Sequence, residues 1–331
     1  MKIAITGGAG FIGTQLAKLL KSDGHELVLI DLKKSESFPD DSIIADIRDL
    51  DTLTKALEGA DAIYHLAAEH RDDVTPLSLY TDVNVTGGQN VIEAAKANGI
   101  KKIIFTSSVA VYPLVPADLK KGSSEEHPPA PFNPYGQSKC DSEKTFEYWA
   151  SQDPARSLTI IRLVATFGPG NRGNIFTLIN QIASGKFIMI GDGKNCKSIA
   201  YVGNVAAFLH HALGFKAGAH LYNYADKPDI NMRDFVASIR KALGYRGLGP
   251  QMSYALGLLG GSVFDVAAKV TGKKFPISII RIKKFCADTI VNADKLKEET
   301  GFKAPYSLHD GLEEMIECEF QDKKQDHKRA A

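Results

Sequence analysis

The chain reads Thr6-Gly7-Gly8-Ala9-Gly10-Phe11-Ile12-Gly13 at the end of an apolar run of strand length, Lys2 to Thr6. A helix-like stretch, Phe11 to Lys21, follows this turn. Small residues between a strand and a helix let the backbone approach phosphate groups, which the amides of the helix N-terminus can then bind. The stretch therefore predicts a dinucleotide-binding turn, with Gly7, Gly10, Phe11, Ile12 and Gly13 in contact with the cofactor.

Strand-like and helix-like segments alternate beyond this turn, which is typical of a parallel sheet covered by helices. We predict an α/β fold: a Rossmann-type doubly wound parallel sheet with a smaller C-terminal α/β substrate lobe. The predicted domains are 1–165 for NAD binding, joined by some later segments, 166–320 for the substrate and 321–331 as a polar tail. The further predicted strands are Leu27 to Ile30, Ala62 to Leu66, Ile103 to Thr106 and Thr159 to Leu163, and the helices are Leu50 to Glu58 and Gly88 to Ala97.

A carboxylate closes the second predicted strand. Asp31 lies about twenty residues beyond the glycine-rich turn, where a carboxylate can accept hydrogen bonds from both hydroxyls of the adenosine ribose. Such a carboxylate would repel a 2′-phosphate, so NAD is favoured over NADP, although Lys33 and Lys34 lie close enough to attract one.

Asp46 and Ile47 follow the third predicted strand. At that place they could flank the adenine ring of the cofactor. The alternative is that Asp46 is a helix N-cap before Arg48. The residues alone leave both interpretations open.

Composition limits the classes of protein to consider. The 331 residues are 44% hydrophobic and 24% charged, as in a globular protein, and 40 basic against 39 acidic residues argue against a nucleic-acid-binding surface. The four cysteines form no C-x-x-C pair, and His210-His211 has no partner at metal-ligand spacing, so we predict no metal. Met1 leads into a strand without a signal-peptide pattern, which predicts a cytoplasmic protein.

A tyrosine and a lysine are spaced for chemistry in Asn133-Pro134-Tyr135-Gly136-Gln137-Ser138-Lys139. Asn133 and Pro134 predict a helix start, so that Tyr135 and Lys139 share one face. For Tyr135 to act as a base, its pKa must fall from about 10 to about 7, which requires about 4 kcal/mol. A cation about 4 Å away, at an effective dielectric constant of about 20, supplies a comparable amount. The charge of Lys139, together with that of oxidised nicotinamide, is therefore sufficient to lower the pKa of Tyr135 by this amount.

A serine pair ends the strand predicted before that helix. In Phe105-Thr106-Ser107-Ser108 the strand's carboxyl end faces the crevice where open α/β sheets bind ligands. Ser108 could therefore hydrogen-bond the reacting hydroxyl of the substrate.

Together these motifs resemble the extended short-chain dehydrogenase/reductases of the NAD-dependent sugar epimerase/dehydratase group, over nearly the whole chain. The resemblance implies that Ser108, Tyr135 and Lys139 are catalytic. It also implies that Leu66-Ala67-Ala68 lines the cofactor, that Asn84 takes the fourth-helix position, and that the protein pairs as a homodimer through two long helices. Without the resemblance, Asn84 is simply a polar helix residue.

Two apolar residues argue against one class of reaction, dehydration. Dehydratases of the group have an Asp-Glu pair directly after the hydroxyl residue, whereas this chain has Val109 and Ala110, which cannot move a proton. Epimerisation and simple oxidation or reduction remain. In an epimerase, Tyr135 takes the proton of the sugar C4 hydroxyl while nicotinamide takes the hydride, and the hydride then returns to the other face of the ketone. In a reductase, by contrast, the oxidised cofactor is released and replaced by a reduced one at each turnover.

The substrate segment departs from soluble nucleotide-sugar epimerases. Ala165 stands where those enzymes usually have an asparagine that contacts the sugar diphosphate. Lys197 falls near the place of a diphosphate-binding arginine, and Arg172 lies in a glycine-rich loop that could also meet phosphate. The alternative is that both are solvated surface cations.

Several segments resemble a narrower group, the bacterial N-acetylglucosaminyl-diphosphoundecaprenol 4-epimerases. The resemblance implies conversion of lipid-linked N-acetylglucosamine to its N-acetylgalactosamine epimer, for surface-polysaccharide (O-antigen) assembly. The alternatives are a UDP-N-acetylglucosamine or UDP-glucose 4-epimerase and an NAD(P)H-dependent reductase of a sugar or sterol-like ketone; an intact Ser108, Tyr135 and Lys139 set disfavours a noncatalytic NAD sensor. The matching segments are 67–74, 198–204, 256–261, 271–274 and 281–286.

An apolar stretch, Met252 to Val270, supports a lipid-linked substrate. It carries Leu256, Leu259, Val263, Val266 and Val270 at helical spacing, and Lys269, Lys273 and Lys274 cluster at its end. Its glycines and charges make a poor bilayer span, but an interfacial helix at the cytoplasmic face of the inner membrane is reasonable. The alternative is a buried core helix.

Overall fold

A computed structural model describes residues 1–71, 74–116, 118–271 and 278–330. The chain alternates strands and helices through its first half, as the sequence predicts. The strands are β1 Lys2–Thr6, β2 Glu26–Asp31, β3 Ser42–Ile44, β4 Ala62–His65, β5 Lys102–Ser108, β6 Ser157–Leu163, β7 Ala165–Phe167, β8 Met189–Ile190, β9 Cys196–Lys197, β10 Ile199–Tyr201, β11 Gly218–Tyr224, β12 Ile230–Asn231 and β13 Gln251–Met252. The α-helices are α1 Phe11–Ser22, α2 Leu50–Ala56, α3 Gly87–Ala97, α4 Pro134–Ser151, α5 Asn174–Ala183, α6 Val202–Ala212, α7 Met232–Ala242, α8 Tyr254–Thr271, α9 Ile279–Cys286, α10 Asp294–Thr300 and α11 Leu308–Ala330.

The central sheet of the described chain has seven strands in the order β11-β6-β5-β4-β1-β2-β3. All its neighbouring strands are parallel. The strand order reverses between β1 and β4, and open α/β sheets bind ligands at the carboxyl ends of strands at such a point. The predicted α/β fold, a doubly wound Rossmann-type sheet, is confirmed.

The sheet separates two apolar cores, because alternate residues of a strand point to opposite faces. Ile3 and Ile5 of β1 pack in one core with Leu16 of α1. Ala4, between them, packs in the other core with Val91 of α3. Both faces of the strands are therefore apolar, as expected of a parallel sheet covered by helices.

Two elements in the sheet region are not predicted by the sequence patterns. β11 joins the edge of the sheet beside β6, but its first two residues are exposed and it carries polar His220 and Asn223. A π-helical segment, Tyr80–Thr86, precedes α3. Neither has the uninterrupted apolar periodicity on which the predictions depend.

The described chain forms two compact units. The first comprises Met1–Thr166, Ala200–Ala225 and Val291–Tyr306 and contains the sheet. The second comprises Phe167–Ile199, Asp226–Ile290 and Ser307–Ala331, with short ladders that pair β9 with β12 and β8 with β13. The backbone of 321–330, predicted as a polar tail, is helical within α11. Within the described ranges, no helix combines the length and apolarity needed to span a bilayer.

A buried ion pair joins α4 to the sheet. The Arg162 guanidinium on β6 donates to both carboxylate oxygens of Glu143, at 3.0 and 2.7 Å, and each side chain is only 4% exposed. The guanidinium also donates to the Tyr112 hydroxyl at 2.7 Å. A buried charge that loses its partner is strongly destabilising, so this pair anchors α4.

We expect Glu143→Gln to lower the free energy of unfolding by about 3 kcal/mol, because it leaves the Arg162 charge buried without a countercharge. Urea denaturation measures this change. The matched control is Glu93→Gln, which removes an exposed pair with Lys96 and is expected to cost less than about 0.5 kcal/mol. Equal effects of the two substitutions would contradict an anchoring role.

Candidate active site

The glycine-rich turn lies at the point where the strand order reverses. Gly7 has a φ of 73°, and a Cβ placed there would lie 2.8 Å from the Ala67 backbone nitrogen, just after β4. A Cβ on Gly13 would lie 2.4 Å from the Gly7 carbonyl oxygen. Side chains at these positions would collide with backbone, so the glycines let β1, α1 and the end of β4 approach one another closely.

The start of α1 offers hydrogen-bond donors to a ligand. Gly10 is the N-cap and has no side chain to satisfy the first amides of the helix, which include those of Phe11 and Ile12. Asp31, at the end of β2, accepts a hydrogen bond from the Ala9 amide at 3.1 Å. The turn therefore combines a helix N-terminus suited to a pyrophosphate with a carboxylate suited to a ribose. These features fit a dinucleotide.

Asn84 holds the segment that follows Leu66-Ala67-Ala68. Its side chain is 1% exposed, accepts a hydrogen bond from the Glu69 amide at 2.8 Å, and donates to the Glu69 carbonyl at 2.9 Å. It also donates to the Ser138 hydroxyl on α4 at 2.9 Å. The residue predicted to serve the cofactor thus ties the edge of the predicted cofactor crevice to the helix of Tyr135.

Asp46 is not a helix N-cap, contrary to one of the two sequence interpretations. The cap of α2 is Asp49, whose carboxylate accepts from the Thr52 amide. Asp46 instead pairs with Arg48 at 2.5 Å, and these hydrogen bonds lower the pKa of its carboxyl. Ile47 is 6% exposed and fills the space left by Gly87 on α3. Contact of either residue with adenine stays a prediction.

Ser108 and Tyr135 belong to neighbouring elements at the end of β5. The Ser108 hydroxyl accepts a hydrogen bond from the Ala110 amide at 3.1 Å. Asn133 caps α4 as predicted, by accepting from the Gly136 amide at 2.7 Å. A Cβ on Gly136 would lie 2.1 Å from the Ala110 carbonyl oxygen, so this glycine brings the first turn of α4 against the segment that carries Ser108.

Lys139 lies on α4 one turn after Tyr135 and is 3% exposed. Its Nζ donates to the Thr106 carbonyl at 2.8 Å and lies 4.6 Å from the centre of the Phe105 ring. Burial lowers the pKa of Lys139 to about 7, and the Glu143 carboxylate opposes that shift. A lysine whose proton affinity is set by burial can respond strongly to charge that develops beside it.

His65 and the Glu143–Arg162 pair belong to this region and were not predicted from the sequence. The His65 ring is buried, its Nδ1 lies 2.7 Å from the Thr6 hydroxyl, and burial lowers its pKa to about 3, with a smaller effect of the Lys139 charge. The sequence does carry a signal for them: His65 and Arg162 are polar residues inside the apolar runs 62–66 and 159–163. Polar residues are uncommon in a buried strand, so these two stand out.

The two predicted phosphate ligands lie in the second unit and have partners within it. Arg172 pairs with Glu319 at 3.0 Å and lies over the Phe176 ring. The Lys197 ammonium donates to the Lys284 carbonyl at 2.9 Å and to the Ala287 carbonyl at 2.6 Å. Lys197 is therefore not a solvated surface cation; whether either residue binds phosphate stays a prediction.

Histidine and carboxylate side chains do not gather into a metal site anywhere in the described ranges. His210 lies 2.6 Å from Asp23, and its neighbour His211 packs against Phe208. Both histidines thus have contacts within the protein.

The chain is similar to known proteins in both sequence and fold. Residues 3–225 match the family model of the NAD dependent epimerase/dehydratase family. The chain is 46% identical over 326 residues, 98% of its length, to N-acetyl-alpha-D-glucosaminyl-diphospho-ditrans,octacis-undecaprenol 4-epimerase of Escherichia coli O157:H7, of which the match covers 97%. It is 24% identical to 2-alkyl-3-oxoalkanoate reductase of Stenotrophomonas maltophilia, covering 95% and 98% of the two chains. The fold is shared with UDP-N-acetylglucosamine 4-epimerase from Bacillus cereus, with a TM-score of 0.77, 19% identity and 97% of each chain covered.

We expect Gly13→Ala to weaken NAD binding at least about tenfold, or about 1.4 kcal/mol, because the new methyl group would force the Gly7 carbonyl out of the turn. Isothermal titration calorimetry measures the change. The matched control is Gly214→Ala, whose Cβ would lie 3.5 Å from the His211 carbonyl oxygen, an ordinary contact. Unchanged NAD affinity in Gly13→Ala would argue against this turn as the cofactor site.

Proposed function

The chain belongs to the NAD-dependent epimerase/dehydratase family, and we propose that it inverts C4 of N-acetylglucosamine linked through diphosphate to undecaprenol. The product is the N-acetylgalactosamine epimer, for use in surface-polysaccharide (O-antigen) assembly. The observation that carries this proposal is the 46% identity to the Escherichia coli enzyme, which extends over both units of the chain. Val109 and Ala110 support it, because they lack the acid and base that a dehydration requires.

The cofactor is NAD, and the glycine-rich turn fits it. Gly7 and Gly13 allow the close backbone approach that forms the turn, and Asp31 suits a ribose without a 2′-phosphate. We propose that the cofactor also contacts a further set of residues: Asp46, Ile47, Leu66, Ala67, Ala68 and Asn84. Bound NAD supplies a hydride acceptor that returns the hydride in the same catalytic cycle.

Tyr135 is the proposed acid and base. As a phenolate it takes the proton of the C4 hydroxyl when that carbon is oxidised, and it returns the proton when the ketone is reduced from the other face. The Lys139 ammonium, held at the Thr106 carbonyl, stabilises the phenolate by its charge. The Ser108 hydroxyl donates a hydrogen bond to the reacting oxygen and so orients it.

The test offers the purified protein undecaprenyl-diphosphate N-acetylglucosamine and UDP-N-acetylglucosamine separately, without added reductant, and measures C4 inversion in each. We expect inversion of the lipid-linked sugar. Turnover of the UDP sugar alone would refute the lipid-linked substrate and favour a nucleotide-sugar epimerase. Consumption of NADH with a ketone and no inversion of either sugar would favour the reductase.

In the same assay we expect Tyr135→Phe to reduce turnover by about 10³-fold or more, because the variant cannot move the C4 hydroxyl proton. NAD affinity, measured by calorimetry, should remain within a factor of about two. The matched control is Tyr148→Phe on the same helix, whose side chain is 69% exposed. Full turnover by Tyr135→Phe would refute its assigned role.

A peripheral contact with the cytoplasmic face of the inner membrane is part of this proposal. Leu256, Leu259 and Val263 lie on one face of α8 and are 58%, 63% and 62% exposed, which argues against a buried core helix. The adjacent α9 carries Arg281, Lys283 and Lys284 and no acidic residue. An exposed apolar stripe beside basic residues suits an anionic bilayer surface. By family resemblance we also propose a homodimer that pairs through two long helices.

Some residues named in the sequence analysis lie outside the described part of the chain. Lys273 and Lys274 lie there, as do Asp72 and Asp73 of an earlier matching segment. The side chains of Val266, Lys269 and Val270 lie outside the described part as well. The membrane proposal therefore rests on Leu256, Leu259 and Val263 together with α9.

We expect the double substitution Leu256→Ser/Leu259→Ser to weaken binding to liposomes containing phosphatidylglycerol at least tenfold, since each leucine contributes about 1.5–3 kcal/mol when it leaves water. Sedimentation with liposomes measures the bound fraction. The matched control is Val115→Ser/Leu119→Ser, which alters residues that are 64% and 72% exposed in the first unit. Equal loss in both double variants would contradict a specific contact through α8.

A further inference from the structure

The ring of Tyr135 is in contact with a second tyrosine, Tyr80, to which the proposed chemistry assigns no role. The centres of the two rings are 6.1 Å apart, and the ring planes meet at 49°. Aromatic pairs attract one another at centre-to-centre separations of about 4.5–7 Å. Tyr80 is 5% exposed, whereas Tyr135 is half-buried. A buried ring therefore lies against the ring that is proposed to react.

The Tyr80 side chain is fixed at its far end by a hydrogen bond. Its hydroxyl donates to the Arg71 carbonyl, in the segment that follows β4. A tyrosine that buries its ring needs a partner for its hydroxyl, and this carbonyl supplies one. The side chain of Tyr80 is therefore held at its hydroxyl as well as at its Cβ.

The acceptor of that hydrogen bond belongs to a braced turn. The Glu69 carboxylate accepts hydrogen bonds from the backbone amides of His70 and Arg71, both at 3.0 Å, and from the Arg71 Nε at 2.9 Å. Hydrogen bonds from Arg71, chiefly from its side chain, lower the pKa of Glu69 to about 2, so the carboxylate stays charged at neutral pH. The Asn84 side chain holds the Glu69 backbone from the other side. The Arg71 carbonyl is thus a fixed point to which Tyr80 is anchored.

Tyr80 begins the π-helical segment, which lies along α4. Two contacts follow that of Tyr80 with Tyr135: the Asn84 side chain donates to the Ser138 hydroxyl at 2.9 Å, and the Ser142 hydroxyl donates to the Asn84 carbonyl at 2.8 Å. Successive residues of the segment therefore meet successive residues of α4 in the same direction. π-Helical turns are rare and occur frequently at functional sites. This register places Tyr80 opposite Tyr135.

The backbone of α4 does not by itself fix the Tyr135 ring. The Lys139 contact with the Thr106 carbonyl holds the helix, but the Tyr135 side chain can still rotate about two bonds. Proton transfer requires the Tyr135 hydroxyl to lie within hydrogen-bond reach of the C4 hydroxyl of the sugar. A misplacement of about 1 Å can cost about 10²-fold in rate. A ring contact that restricts this rotation therefore bears directly on catalysis.

We propose that Tyr80 is the positioning residue of Tyr135: its buried ring holds the Tyr135 ring in the orientation that proton transfer requires, and the Arg71 carbonyl holds Tyr80. Tyr80 does not itself exchange a proton with the substrate. This inference rests on the proposed function, since it deepens the role given to Tyr135. The essential feature of residue 80 is its planar ring, and the hydroxyl is a support.

The first experiment measures kcat and KM for C4 inversion in two variants of residue 80. Tyr80→Phe keeps the ring, and we expect it to retain at least about a third of the wild-type kcat. Tyr80→Met fills much of the same space without a planar face, and we expect kcat to fall at least about tenfold because Tyr135 is misplaced. KM should stay within a factor of about two, since the groups that bind the sugar are unaltered.

The matched control is Tyr148→Met on α4, whose side chain is 69% exposed and which should retain the wild-type kcat. A kcat of Tyr80→Met within about threefold of the wild-type value would overturn the inference. So would an equal loss of kcat in Tyr80→Phe and Tyr80→Met, because the ring would then not be the part that matters.

The second experiment does not depend on turnover. The protein is labelled with 3-fluorotyrosine and loaded with NAD, and the flip rates of the Tyr135 and Tyr148 rings are obtained from fluorine NMR line shapes. Each signal is identified by its loss in Tyr135→Phe or Tyr148→Phe. We expect the Tyr135 ring to flip at least about tenfold more slowly than the exposed Tyr148 ring, because it is packed against Tyr80.

In the same experiment Tyr80→Met should raise the flip rate of Tyr135 at least about tenfold, and Tyr80→Phe should leave it within about threefold, because only the methionine lacks a ring to pack against it. Equal flip rates of Tyr135 and Tyr148 in the wild-type protein would overturn the inference. That comparison needs no variant of residue 80, so it decides the matter even if Tyr80→Met fails to fold.

The two experiments separate this inference from the proposed function. A faster Tyr135 flip in Tyr80→Met, in a protein that inverts neither the lipid-linked nor the nucleotide-linked sugar, would support the positioning contact and refute the function. Inversion of the lipid-linked sugar with an unchanged kcat in Tyr80→Met would overturn the inference and leave the function standing.

Discussion

The ammonium group of Lys139 is held away from water, and the contacts that make this possible join α4 to the central sheet. A charged amine is costly to bury unless polar groups replace its water. Here the Thr106 carbonyl and the Phe105 ring face do so, and both belong to β5. The contact therefore ties α4 to the carboxyl end of a central strand. Tyr135, one turn earlier on the same helix, is placed by that tie.

A buried charge pair lies one turn further along α4 than Lys139. Glu143 is four residues beyond Lys139 and is almost fully buried. A carboxylate without a partner at that position would raise the pKa of Lys139. Arg162 binds both carboxylate oxygens. Burial is the larger influence on the pKa of Lys139 and lowers it, while the Glu143 charge opposes that shift. Structural anchoring and electrostatic tuning are thus joined in one helix.

Features that are local in the chain were predictable from the sequence. The glycine-rich turn, the first strands and the Tyr135–Lys139 spacing each depend on residues close together in the chain. The Gly136 contact with the Ala110 carbonyl could not be predicted, because it joins positions brought together only by the fold. The N-cap of α2 shows a local limit, since Asp46 and Asp49 both precede the helix and only backbone geometry decides between them.

Helix α8 shows a different limit. Its periodicity predicts an apolar stripe but does not indicate what the stripe faces. The opposite face settles the question, since Gly257 and Gly261 allow β8 and α9 to approach closely and leave Leu256, Leu259 and Val263 outside. Small residues on one side of a helix thus determine which side remains exposed. The hydrophobic pattern alone does not indicate this.

The path of the chain through its two units has an evolutionary consequence. Each unit is assembled from three separate stretches that alternate along the polypeptide. Neither unit corresponds to one uninterrupted piece of a gene, so recombination at a single junction cannot exchange one for a counterpart from elsewhere. Changes of substrate preference in such an architecture are expected to accumulate by point substitution and by the growth or loss of loops. The two units are therefore inherited together.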